Sequence, residues 1–266
     1  MSIYISSGLV LTQAQLVNPN NPRLCYVNYL SAGNVTATSE LNTSPASNLA
    51  NPSTSFTWQA SSTDQQDIDV QLDGLEVDYI GLARHNLEQV AEIRIQVEVG
   101  GEYTTIFDWA FVPNRQALLY LLNPASPDSI RISIRNNPTE PRLAVLYVGQ
   151  SLVLQRRIYV GHTPITMGRN LSVVGGMSES GQYLGEVIRR ESLSTSVSLN
   201  NLTASWYREN LNVFFGQRPR KPFFWAWRPE KYPDEIGYAW LSGNPQPSNA
   251  QPNGMMEVSF DMEAIA

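Results

Sequence analysis

Apolar and polar positions alternate with a period of two along much of this chain. Ile68, Val70 and Leu72 face one way, while Asp67, Asp69, Gln71 and Asp73 face the other. Ile93, Ile95, Val97 and Val99 alternate with Arg94, Gln96 and Glu98, and Ile130, Ile132 and Ile134 with Arg131, Ser133 and Arg135. The pattern returns at Leu193, Thr195, Val197 and Leu199, and again at Met256, Val258, Phe260 and Met262. A strand with one dry and one wet face belongs to an antiparallel sandwich. Two runs differ. Val77–Ala83 and Leu143–Val148 are apolar on both faces, which predicts a central place in a sheet. Turns between strands are expected at Gly100-Gly101, Asn123-Pro124, Asn137-Pro138 and Gly175-Gly176.

One segment reads as a helix. Asn201 or Thr203 can cap it, Trp206, Leu211, Phe214 and Phe215 supply an apolar stripe, and Gly216 suits the position just past the end. The expected fold is all-β, with two β-sandwich domains over residues 1–155 and 156–266 and one short helix in the second. The boundary falls where strands end at Tyr147-Val148-Gly149 and where charge and aromatic content change. No Gly/Ser tract separates the halves, so a rigid junction is expected.

Charged residues make up only 16% of the chain, below the ~25% usual for soluble domains. A thinly charged surface fits a subunit buried among neighbours. Residues 1–155 carry 7 Lys+Arg against 14 Asp+Glu, a net of −7, whereas residues 156–266 carry 11 against 10, a net of +1. Neither half offers the sustained basic face that phosphate contacts require, which argues against base-specific DNA recognition. Cys25, in Leu24-Cys-Tyr-Val-Asn-Tyr, is the one cysteine. It excludes an internal disulfide framework and reads as a small buried hydrophobe. The first residues lack a basic region followed by an apolar core, so no signal peptide is expected. No window approaches 18 apolar residues, so no membrane insertion is expected.

Residues 206–240 hold four of the six tryptophans, Trp206, Trp225, Trp227 and Trp240, among several phenylalanines, tyrosines and prolines. Each such ring buries roughly 150–250 Å², so the stretch is a core, a contact surface or both. Within it Phe223 and Trp225 share one strand face and Phe224 with Ala226 the other. Core packing explains one set. The other is free to meet a neighbouring subunit, which makes Phe223, Phe224, Trp225, Trp227 and Arg228 candidates for an oligomer interface.

Reaction chemistry is hard to find. His85 and His162 lack ligand spacing, and Gly-x-Ser-x-Gly, His-Glu-x-x-His and P-loop patterns are missing, so no enzyme, no catalytic residue and no cofactor are expected. Asp64, Asp67, Asp69 and Asp73 invite a calcium reading but lack the glycine and distal glutamate of an EF-hand, so a solvated strand face is expected and no metal. Arg84-His85-Asn86 ends an apolar run and offers donors and an acceptor for a sugar hydroxyl, or closes a turn. Trp58 reads as a sugar-stacking ring or as core.

The first half resembles the discoidin/galactose-binding-like jelly rolls found in phage tail proteins. The resemblance rests on Ser44-Pro-Ala-Ser-Asn-Leu, Thr57-Trp-Gln-Ala, Gln66-Asp-Ile-Asp-Val-Gln-Leu, Val77–Leu87 and Leu146-Tyr-Val-Gly. The second half is similar to the ring-forming domain of distal tail or baseplate proteins of long-tailed phages. It rests there on Tyr159-Val-Gly-His-Thr-Pro, Asn212-Val-Phe-Phe-Gly, Pro222-Phe-Phe-Trp-Ala-Trp-Arg-Pro, Gly237-Tyr-Ala-Trp and Met256–Met262. The resemblance implies an N-terminal jelly roll and a C-terminal tail-tube-like sandwich. It also implies a virion protein made in the host cytoplasm and forming a ring, commonly of six copies, between the tail tube and the baseplate hub. DNA would be passing cargo only. The alternative is a carbohydrate-binding module that recognises a host-surface glycan through Trp58, Arg84, His85 and Asn86.

Overall fold

The computed structural model describes the backbone of residues 2–5 and, with side chains, residues 18–113, 115–158, 161–217, 220–249 and 254–265. Tyr159-Val160 and Arg218-Pro219, within or beside motifs quoted above, lie outside the described residues. In chain order the strands of the first half are β1 (Ser2–Ile5), β2 (Arg23–Cys25), β3 (Val35–Ala37), β4 (Trp58–Gln59), β5 (Gln66–Gln71) and β6 (Val77–His85). They continue with β7 (Glu92–Val99), β8 (Glu102–Phe111), β9 (Ala117–Ala125), β10 (Ser129–Arg135), β11 (Arg142–Gly149) and β12 (Leu152–Val153). The second half adds β13 (Arg169–Met177), β14 (Tyr183–Leu202), β15 (Phe223–Ala226), β16 (Ile236–Leu241), β17 (Gln246–Asn249) and β18 (Met256–Ile265). Besides a short 3-10 helix at Ala46–Ala50, the described residues form a helix, α1, over residues 204–216, with a π-helical stretch at Tyr207–Leu211.

The protein is all-β, and its sheets stack in layers. An outer sheet, β3-β5-β10-β7-β8, faces an inner sheet, β1-β9-β6-β11-β4, and the two enclose the jelly-roll core. Ile68, Ile95, Ile132 and Trp58 meet there, because each alternating strand turns its apolar face inward. The inner sheet's other face packs on a third sheet, β12-β2-β15-β16-β18-β14-β13, with β17 also paired to β18. Helix α1 covers the far side of that third sheet through Tyr207, Leu211, Phe214 and Phe215.

This stacking explains the runs that are apolar on both faces. In β6, Ile80 and Leu82 enter the jelly-roll core while Tyr79 and Ala83 enter the core shared with the third sheet. In β15, Phe223 and Trp225 face the helix while Phe224 and Ala226 face the inner sheet. The junction is therefore a continuous packed core. Its buried tyrosines are satisfied as donors: Tyr79 to the Val27 carbonyl at 2.6 Å, Tyr147 to Pro222 at 3.1 Å, and Tyr238 to Pro52 at 2.6 Å.

Sheet membership does not follow a division at residue 155. Strand β2 pairs with β15, Phe224 opposite Cys25, so a segment from the first half is a strand of the third sheet. Three residues are too few for a periodicity to announce them. Two expected turns are also displaced. Asn123-Pro124 lies within β9, and Gly175-Gly176 lies within β13, whose turn comes later, at residues 178–182. Gly100 and Gly101 do form a turn, both with positive φ. Thr203 stands at the helix N-cap but its hydroxyl makes no capping bond, accepting instead from the Gln155 amide at 3.0 Å, and Gly216 is the last helical residue rather than the one beyond it.

Candidate functional site

The third sheet is unequally covered. Residues Leu193–Leu199 of β14 pair with β18 and turn Thr195, Val197 and Leu199 inward, but Tyr183–Ser192 pair with β13 alone. Strands β13 and β14 thus leave the body as a two-stranded ribbon. Every residue of β13 is exposed. Cross-strand partners share a face, so Val173 opposite Ile188 marks one side of the ribbon and Val174 opposite Val187 the other. Leu171, Met177, Tyr183 and Leu184 add further apolar surface, with Met177, Leu184 and Val187 about two-thirds exposed. A two-stranded hairpin is marginal in water by itself, and unpaired strand edges are templates for another chain. Both faces and both outer edges of this ribbon are open among the described residues.

At the ribbon's base lies a cleft of about 450 Å³ lined by Arg84, Arg115, Gln116, Thr166, Arg169 and Glu191, among others. It joins the end of β6 and the start of β9 to the start of β13. Arg84 has φ +57° and donates its backbone N–H to Gln116 at 2.6 Å. The other non-glycine residues with positive φ, among those described, are all Asn or Asp.

The expected interface residues are mostly interior. Phe223, Phe224 and Trp225 are fully buried within one chain. The reading that one ring set is spare fails because both faces of β15 are covered, one by α1 and the other by the inner sheet. Trp227 and Arg228 stay half-exposed, yet they too are engaged locally. Trp227 stacks on Tyr232 with centroids 5.3 Å apart, its indole N–H donates to Glu235, and Arg228 lies over both rings.

The expected glycan residues are not brought together as a set. Trp58 is fully buried and donates to the Ser39 carbonyl at 3.0 Å, so its ring is core. Asn86 donates to the Glu140 carbonyl at 2.9 Å and accepts from the Arg142 N–H at 2.7 Å, closing the β6 end against β11. His85 accepts the Leu87 N–H at Nδ1, and its buried Nε2 has no partner among the described residues. Burial lowers its pKa to about 4, which keeps the ring neutral. Of the four, Arg84 alone is exposed and reaches an open cleft.

Other side chains with chemical potential are accounted for structurally. Cys25 is fully buried, and burial pushes its thiol well above the ordinary range. Asp69 takes a two-pronged bond from Arg131, at 2.7 and 2.9 Å. No cluster of three metal-ligating residues exists among the described residues, and no helix there is long and apolar enough to cross a membrane.

No protein-family model and no curated protein matches this chain. Solved structures do resemble about half of it. One is chitosan-binding module 1 of a Paenibacillus sp. chitosanase/glucanase, 20% identical, covering 46% of this chain and 98% of the module at a TM-score of 0.40. Another is the family 32 carbohydrate-binding module of C. perfringens NanJ, solved with galactose, at 17% identity, 49% and 99% coverage and a TM-score of 0.40. A Streptococcus pneumoniae fucose-binding module is 9% identical, with 47% and 95% coverage and a TM-score of 0.41. These likenesses assign no ligand to this chain, and they lend nothing to the tail-protein resemblance.

Proposed function

We propose that this chain is a structural subunit that assembles with copies of itself, the β13–β14 ribbon being its joining arm. The observation that carries the reading is the ribbon's exposure of Val173 and Ile188 on one face and of Val174 and Val187 on the other. The ten residues Tyr183–Ser192 extend ~33 Å in a ribbon ~10 Å wide, so its two faces offer ~650 Å², close to the ~800 Å² per partner of a stable interface. Exposed apolar side chains gathered on one two-stranded ribbon mark an association site. An arm on one side of a body and a seat elsewhere make a heterologous contact, which closes into a ring when the rotation permits.

The sequence resemblance supports placing that ring at the tip of a phage tail, with a jelly roll on its outside. Electron microscopy of the purified chain tests the proposal. Closed rings of uniform copy number support it; single particles of one chain's mass at tens of micromolar would count against it.

A second reading, recognition of a carbohydrate by the jelly roll, is favoured by one feature, the opening of Arg84 into the cleft. Trp58, His85 and Asn86 do not support it, since their polar groups are turned to the chain's own backbone or buried. Binding of neutral sugars on a glycan array by a monomeric chain would favour this reading over assembly.

A further inference from the structure

The cleft at the base of the arm has a chemical bias that assembly alone does not use. Three guanidinium groups line it, from Arg84 at the end of β6, Arg115 before β9 and Arg169 at the start of β13, against one carboxylate, Glu191. The side chains of these three arginines have no hydrogen bond or ion pair among the described residues, although Arg131, Arg135 and Arg190 all find carboxylates elsewhere. Gathering three like charges against a single counter-charge is unfavourable. Arg84 is moreover held in the left-handed region, which a long side chain avoids at a cost of about 1–2 kcal/mol. Backbone strain of this kind persists where the surroundings enforce it, commonly at ligand sites.

We propose that this cleft binds an oxyanion carried by a small polar ligand: a carboxylate, sulfate or phosphate group. Guanidinium groups donate in a planar fork that matches such groups, and bonds to ionised partners are the stronger class. Gln116, Thr166 and Ser192 line the same cleft and supply neutral donors for hydroxyls beside the anion. An acidic sugar and a free inorganic anion share this chemistry. The site is made by residues of one chain.

Titration calorimetry of the full chain at low salt, with methyl glucuronide, sodium sulfate, sodium phosphate and the neutral methyl galactoside, tests it. The anions bind and the neutral glycoside does not; Arg84→Gln and Arg115→Gln each weaken binding by about tenfold, the loss expected for one charge-assisted bond. Arg208→Gln, on the exposed side of α1, leaves binding unchanged and controls for net charge. Glucuronide bound more tightly than sulfate and phosphate identifies an acidic sugar as the source, and the reverse order identifies a free anion. The proposal is overturned if no anion binds below about 10 mM, if the galactoside binds equally well, or if the Arg84 and Arg115 variants, folded by their melting curves, bind like the parent.

Discussion

Gly81 of the inner sheet and Phe224 of the third sheet compete for one volume: a Cβ on Gly81 would lie 2.4 Å from the Phe224 ring. The contact sits where the two halves of the chain share their core, so it reports on whether they behave as one unit. Gly81→Ala is expected to lower stability by about 1–3 kcal/mol through overpacking. Thermal unfolding should show one transition that shifts downward as a whole. Two separate transitions, with only one affected, would show that the halves fold apart.

The aromatic stretch should act on stability rather than on association. Trp225 is fully buried between the third sheet and α1. Trp225→Ala is expected to cost about 3–5 kcal/mol in chemical denaturation while leaving the mass of the folded species unchanged. A variant with normal stability but altered mass would return these rings to the surface.

Acid should weaken the fold through His85. Its folded pKa of about 4 lies below the ordinary 6.5, so the unfolded chain takes up the proton first as pH falls. The stability associated with the neutral ring is fully present above pH 6.5, declines below it, and levels off near pH 4 after a loss of about 3 kcal/mol. Denaturation midpoints measured from pH 7.5 to 4 should follow this slope, and His85→Asn should flatten it. A parent and a variant with parallel profiles would show that another group sets the acid limit.

Much of the architecture was legible because a buried strand face writes itself at every second residue. Ile68, Ile95, Ile132, Val197 and Phe260 are all buried as their alternation predicts, and Ile80 with Tyr79 shows why a run apolar on both faces lies between two sheets. The arm was not legible for the converse reason. It has no buried face, so Val173-Val174 and Val187-Ile188 come in adjacent pairs that break the alternation, and Gly175-Gly176 imitates a turn. Those adjacent pairs, flanking a glycine-rich stretch, were the available signal. Trp58 and Asn86 could not be placed from sequence, since a strand-end polar group looks alike whether it meets solvent or a backbone carbonyl 19 or 54 residues away. The same holds for Phe224, whose covering sheet comes from residues 77 to 145 positions earlier, Tyr147 to Tyr79.

If the arm joins copies, sedimentation velocity will separate the parent chain from a Val187→Asp/Ile188→Asp double variant. Both positions are exposed and lie on opposite faces of the ribbon, so the fold should survive, with an unchanged melting temperature. The parent is expected to sediment as a discrete oligomer and the variant as a monomer. A parent that sediments as a monomer, or a variant that keeps the parent's oligomeric mass, would contradict it.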